Sequence, residues 1–581
     1  MNIRRRAGFG FRFVRALGRC LPAATIVWLV ACPAVSAKRS TDAAAPRFVD
    51  LSLLVAPELP CTWPAAGFAP FHLDHYRVIG PTSAVNADIL SIDGNTGTQF
   101  DVPPHSIPHP DKNLPHAGPW GRMVTDKVPV WQLVGEACVV DCRDLRDGTT
   151  NGQSPLVTRD RVVRWEREHR PLGPGDVAVF ASGYTDEYYQ PLPAGRRFCA
   201  DPVQGRSPGW PDPDPECMEY VATRKVMAAA TDSASMGPLP NGEPTHLAGL
   251  KYGMIWTESA TNLAALPATG AFYCLLPPKH ADGLYGEARA LAIVGNPLAA
   301  DLISRAKSKQ VLDLSVTLAA DLPTTWPGRG AGDHRHPYLT VPLFLAANLG
   351  TYHTTHLLDS QAGTHLVPPA YALPPAGFDN AQYAPDVRQW LSEYEAQHGP
   401  RGTSDVTAEE VPLEQTCGVA RVIDVAHLVG TTNANRWPRS PEITVADIER
   451  HEKKTGPLKA GEVVIFRSGY SDRWYKPAPG GAACLADPLD GKREGWPAPG
   501  PAAIAYLHDK GIRCVATDGP TLGGSEPKAA LATYWMLGTK GLVGVEFLTG
   551  LARLPERAYF IFAAGRIRGC HGGPGRAIAL Y

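Results

Sequence analysis

Residues 95–105 read N-T-G-T-Q-F-D-V-P-P-H. An Asp and a His four residues apart can hold a divalent ion or move a proton, and the two prolines would stiffen the loop that presents them. The same residues also make a plain tight turn, so the rest of the chain must decide between chemistry and architecture. A second candidate, S-G-Y at 182–184 and again at 468–470, lacks the flanking Gly of a nucleophile elbow and reads as a strand-end turn instead of a serine-hydrolase site.

The chain that must position such groups has 581 residues, with 57 Gly and 56 Pro, enough for more than one domain rich in turns. The first 37 residues carry six Arg and no acid, so the remainder holds 50 basic against 57 acidic residues, a net charge of −7. Nothing in that balance points to nucleic acid or an anionic membrane surface as a partner. Arg4 to Arg19 followed by the apolar run 21–31 and V-S-A (35–37) reads as an export signal, residues 1–37, too short in its apolar part to span a bilayer. The competing L-V-A-C (29–32) would place a lipid on Cys32, although Pro33 is unusual there. No later run has the length and apolarity of a transmembrane helix. Export permits disulfides among the ten cysteines beyond residue 37, and the lack of any C-x-x-C pair argues against a cysteine zinc site.

The chain repeats itself. V-D-L-S (49–52) returns as L-D-L-S (312–315), and C-T-W-P (61–64) as T-T-W-P (324–327). V-F-A-S-G-Y-T-D (179–186) returns as I-F-R-S-G-Y-S-D (465–472), A-T-D-S (230–233) as A-T-D-G (516–519), and R-A-L-A (289–292) as R-A-I-A (576–579). Matches in one order over such a distance mark two whole domains, 45–296 and 308–581, joined by a linker at 297–307. Within them D-V-A-V-F-A (176–181) and V-V-I-F (463–466) read as buried strands, and 158–168 and 386–396 as helices, so the expected class is α/β. Laid over the second copy, Asn95 faces Gln361, Gln99 faces His365, Asp101 faces Val367 and His105 faces Tyr371, while Gly-Thr is common to both.

The stretch 95–105 resembles the signature H-x-G-T-H-x-D-x-P-x-H of the metal-dependent hydrolases of the cyclase family, which includes bacterial kynurenine formamidase. Gly97, Thr98, Asp101, Pro103 and His105 match it, while Asn95 and Gln99 stand where the family has its first two histidines. A further family element, a His with a Glu twelve residues later, is present as His246 and Glu258. The resemblance runs through nearly all of both copies. It implies two tandem copies of a swivelling β/β/α-like domain forming an intrachain pseudo-dimer. It also implies that Asp101, His105, His246 and Glu258 hold one of the family's two metals, the other having lost its imidazoles. Two imidazoles and two carboxylates suit Zn or Mn, with Asn95 and Gln99 able to offer only weak carbonyl oxygens. Such an ion would activate water on a small-molecule substrate, with His105 as the proton carrier.

The second copy keeps His365 and Glu546 but has Val367, Tyr371 and Tyr534 at the other positions, so no catalytic metal is expected there. His353 and His356, with His334 and His336, read as scattered solvent-facing residues. Trp63 and Trp326 are candidate aromatic walls of substrate pockets, or ordinary core residues. The resulting expectation is an exported hydrolase of a formamide, amide or lactam bond, working in the first copy. The second copy would be a scaffold that closes the first copy's pocket. The alternative is a pseudoenzyme that binds a small molecule without turnover.

Overall fold

Short uninterrupted apolar runs dictate the architecture. Asp176–Ala181 is buried at every position, as is Val463–Ile465, which is what a parallel strand covered on both faces requires. The computed structural model describes residues 46–65, 68–324, 326–327, 338–346 and 351–581, with 343–346 and 351–353 as backbone alone. The export segment 1–37 with Cys32, and His334 and His336, lie outside the described residues, as does the side chain of His353.

Each repeat builds one large mixed sheet. In the first, the parallel strands Val134–Asp141, Asp176–Ala181, Ala228–Thr231 and Ile255–Glu258 form the centre. Antiparallel partners flank them, and one run of chain contributes to both sides, with Arg47–Asp50 as the outermost strand beyond it on one side. Tyr285–Glu287 pairs with Gln99–Asp101, and Arg289–Val294 pairs with Ala271–Leu276. In the second repeat Gly573–Leu580 does both jobs as one strand, pairing with His365–Val367 and with Arg557–Ala564, so the sheet closes on itself. Helices Arg159–Glu168 and Pro385–His398 form where the apolar spacing predicts them. Gly183 and Gly469, at φ of 68° and 74°, end their strands with the S-G-Y turn expected from the sequence.

From Ala44 onward the chain forms one compact unit. The repeats share a four-stranded sheet in which the hairpin His72–Arg77/Ala87–Asp93 of the first pairs with Tyr338–Ala346/Thr351–Asp359 of the second, in the register Thr355↔Asp93 to Asp359↔Ile89. The stretch expected to be a linker is a helix, Leu298–Lys307. Its Ala299, Leu302, Ile303 and Ala306 recur at helical spacing and bury against Phe272 and Leu291 of the first repeat and Ile561 and Leu580 of the second. Leu302 is fully buried there, and truncating such a side chain to Ala costs about 2–5 kcal/mol. The ten cysteines among the described residues are all buried free thiols.

Candidate metal centre of the first repeat

Strand pairing sets the site. Gln99–Asp101 lies antiparallel to Ile255–Glu258 with Glu258 opposite Gln99 and Trp256 opposite Asp101. Because side chains alternate along a strand, Gln99, Asp101 and Glu258 project to one face. The turn Pro103–His105 follows at once, fixed by the His105 N–H bonding to Val102 O at 2.9 Å, and swings His105 over that face. His246 comes from the helix Glu243–Leu250, where its Nδ1 meets Gly242 O at 3.0 Å and so turns Nε2 inward. Nε2 lies 3.8 Å from Asp101 Oδ2 and 3.6 Å from Glu258 Oε1, and His105 Nε2 lies 3.9 Å from Asp101 Oδ2. One ligand atom each of Asp101, His105 and His246 falls within 4.8 Å of the others, and Glu258 joins through His246.

Asp101 is 1 % exposed, and neither carboxylate oxygen has a hydrogen-bond partner. Burial, then the nearby Glu258, pushes its carboxyl well above the ordinary range. Burial would lower His246, but the Glu258 carboxylate outweighs it and the net shift is upward; Glu258 moves down for the reciprocal reason. Burial and then His246 push His105 down to about 3. Gln99 stands where the signature has an imidazole, and its amide donates to Glu258 Oε2. The Met236 N–H donates to Glu258 Oε1 at 2.6 Å. The Asn95 amide is taken up by Asp93 Oδ1 at 3.2 Å.

The second repeat keeps the frame and changes the chemistry. Glu546 lies opposite His365, and the Leu522 N–H donates to Glu546 Oε1 at 2.6 Å, as Met236 does to Glu258. Tyr534, in the place of His246, donates its hydroxyl to the same oxygen at 2.7 Å. His365 Nε2 meets Glu546 Oε2 at 3.1 Å, and its Nδ1 meets Gly363 O at 2.8 Å. Tyr371 and Tyr534 pack edge to face at 5.0 Å where His105 and His246 stand 5.2 Å apart.

Trp63 packs edge-on against Trp210 at 6.2 Å beside a cavity of about 10 Å³ that Asn95 and Gln99 also line. Trp326 packs against Trp496 at 6.3 Å and lines a cavity of about 300 Å³ in the second repeat.

His356 departs from the solvent-facing expectation. It is fully buried and stacks on His280 at 3.8 Å, beside Glu287. The ring Nε2 of His356 and Glu287 Oε2 have no hydrogen-bond partner, yet rings stacked at 14° must splay before both can aim a lone pair at one ion. A third group joins His75 and His571 on Asp88 Oδ1 at 2.6 and 2.9 Å. Both groups draw on both repeats, so no local spacing in the sequence announces them.

A sequence profile of the family described as "Putative cyclase" matches residues 49–238 and 312–523. The chain belongs to that family. The two matches confirm the tandem organisation. They take in Asp101 and His105 and stop short of His246 and Glu258. The isatin hydrolase of Roseibium aggregatum is 27 % identical over 229 residues, which is 38 % of this chain and 79 % of that one. Among solved structures, an isatin hydrolase bound to the product analogue thioisatinate aligns at 23 % identity, covering 43 % of this chain and 93 % of its own, with a TM-score of 0.35. Isatin hydrolase A from Ralstonia solanacearum aligns at 21 %, covering 48 % and 96 %, with a TM-score of 0.37.

Proposed function

We propose that the chain is a metal-dependent hydrolase of a carbon–nitrogen bond in an aryl formamide, amide or lactam, with its chemistry in the first repeat. One observation carries this reading: the buried Asp101 carboxylate, with no hydrogen bond, faces two imidazoles. A buried carboxylate left unpaired is costly, and a cation held by Asp101 with His246 and Glu258, beside His105, removes the cost. The donor set of imidazole nitrogens and carboxylate oxygens fits Zn or Mn. The isatin hydrolase relative points to a cyclic amide fused to an aromatic ring as the substrate class.

Bound there, a divalent ion supplies a Lewis acid for the amide carbonyl and brings the pKa of a water toward neutrality. The residues divide the remaining work. Asp101, His246 and Glu258 have side chains only 1–9 % exposed and form the closed side of the site. His105, 24 % exposed, is the member that reaches the open side. Its Nε2 cannot both ligate and shuttle, so the buried three hold the ion while His105 takes the proton from the attacking water and returns it to the leaving nitrogen. Gly242 O fixes the His246 ring, and Gln99 and the Met236 N–H hold Glu258 in place.

The second repeat completes the fold as an internal partner, making the chain an intrachain pseudo-dimer. The mature chain is exported after residues 1–37 are removed, which N-terminal sequencing of the secreted protein tests. Turnover of isatin and of an N-formyl aromatic amine, followed by absorbance with Zn or Mn supplied, tests the activity. Hydrolysis that His105→Ala slows by roughly 10²–10⁴-fold, with the metal retained, is the expected result. The amide of Gln99 in an imidazole position favours the alternative of binding without turnover, and metal bound with neither substrate consumed would establish it. A chain that takes up no metal sinks the hydrolase reading.

A further inference from the structure

Asp88, in the strand Ala87–Asp93, is fully buried, yet an imidazole from each repeat reaches it. His75 Nδ1 stands 2.6 Å from its Oδ1. His571 Nδ1, 483 residues further on and in the second repeat, stands 2.9 Å from the same oxygen. We propose that His75, Asp88 and His571 form an exchangeable divalent-metal site of the zinc class that ties the second repeat to the first. The site shares no residue with the Asp101 group and does not depend on turnover there.

Strand register builds it. Asp74 pairs with Ile89 and Arg77 with Ala87, so His75 and Tyr76 together face the single residue Asp88. Two residues against one is a bulge, which re-aims a side chain out of the alternation of the strand. Tyr76 sends its hydroxyl to Asp359 Oδ2 at 2.8 Å, while His75 turns to Asp88. The other members are restrained too. The His571 N–H donates to Asp88 Oδ2 at 2.6 Å, and the loop before it is tied by the Gly569 N–H to Glu409 Oε1 at 2.7 Å. The Asp88 N–H donates to Ser360 Oγ at 3.1 Å. Bonds that orient a ligand in this way raise its affinity for an ion. In the second repeat Thr354 stands where Asp88 does in the first, so duplication alone does not account for the group.

The donor set suits an ion. Two imidazole nitrogens and a carboxylate oxygen are ligands that zinc takes, with water in the fourth position. One such atom from each residue lies within 4.8 Å of the others. Ligands in a tetrahedral shell with bonds of about 2.0–2.1 Å stand about 3.3 Å apart, so the two nitrogens need withdraw only by roughly 0.4 and 0.7 Å. Ring orientation separates this group from the stacked His280 and His356. The His75 and His571 rings meet at 71° with centroids 5.1 Å apart, and both Nδ1 atoms already point at one oxygen. The His75 side chain is 45 % exposed and leaves a way in from solvent. Binding asks each ring to carry its proton on Nε2 in place of Nδ1. The ion also displaces two hydrogen bonds to Asp88, so it is held less tightly than in the first repeat and leaves on dialysis. Metal content after dialysis therefore reports the Asp101 group alone.

The test is calorimetric titration of Zn into the dialysed full mature chain carrying Asp101→Asn, with a thermal melt run beside it. Expected is one Zn per chain with a dissociation constant on the order of 1–100 μM. The melting midpoint should rise by about 2 °C at a hundredfold excess over that constant. His75→Gln and His571→Gln each keep an amide donor for Asp88, and each should weaken Zn at least tenfold while the metal-free midpoint stays within about 2 °C. If His571→Gln melts early, His75→Gln, at the more exposed side chain, decides alone. No Zn uptake, or uptake that His75→Gln leaves unchanged, would overturn the inference.

Discussion

The two repeats hold the same strands in the same register at the equivalent place, and differ at the site in Asn95 and Gln99, which become Gln361 and His365, and in three further side chains. Asp101 becomes Val367, His105 becomes Tyr371 and His246 becomes Tyr534. In the first repeat this leaves two buried carboxylates, one with no hydrogen bond. In the second, one carboxylate is satisfied by a backbone N–H, a phenol and an imidazole. The same backbone frame thus presents two carboxylates with two imidazoles in one repeat and a single hydrogen-bonded carboxylate in the other. The charge count separates them.

The comparison breaks most sharply at Asp101. Asp101→Asn should remove the bound metal measured by elemental analysis and cut turnover by more than about 100-fold, since even residues that only orient ligands cost 10–100-fold. The equivalent change in the second repeat, Val367→Ala, should leave metal content unchanged.

The reverse graft is the next largest. Val367→Asp places a carboxylate where Val367 is 1 % exposed, with no cation provided, and should lower stability by several kcal/mol in a denaturant melt. Asp101→Val in the metal-free protein should raise stability instead. If both substitutions destabilise alike, the charge count is not what separates the repeats.

A smaller effect belongs to Tyr534→Phe. It removes one of two donors to Glu546 Oε1 and should cost about 1–2 kcal/mol without touching first-repeat turnover.

The smallest difference is expected where the repeats are the same. Asp232 and Asp518 each accept from a Ser Oγ at 2.6 Å and from the following Gly N–H at 2.6 Å, and burial lifts each to about 6 despite those bonds. A carboxyl raised above its unfolded value near 3.9 lends stability below that pH and loses it as pH rises through about 6. Asp232→Asn and Asp518→Asn should therefore flatten the pH dependence of unfolding over that window equally, within about 0.5 kcal/mol.

Much of this was legible in the chain. Helical spacing located Arg159–Glu168 and Pro385–His398, and apolar runs after G-D and G-E turns located the central strands. The stretch 298–307 was harder. Its i, i+3, i+4 pattern is amphipathic, but its apolar face meets both sheets at once, and a local pattern says nothing about two distant partners. His356 misled for the same reason: its neighbour His280 lies 76 residues earlier, in the other repeat.

The sequence by itself determined the duplication, the class of fold, and the one candidate metal group that lies within a single repeat, because residue type and spacing are local properties. Only the tertiary structure decided that Asp101 is left without a hydrogen bond and that Gln99 is turned onto Glu258. It likewise decided that the first repeat's Arg77 and Ala84 wall a cavity in the second. Each of these depends on the register between strands far apart in the chain and on the packing of one repeat against the other. Hydrogen-bond satisfaction and enclosed volume are set there, between segments, and no segment records them alone.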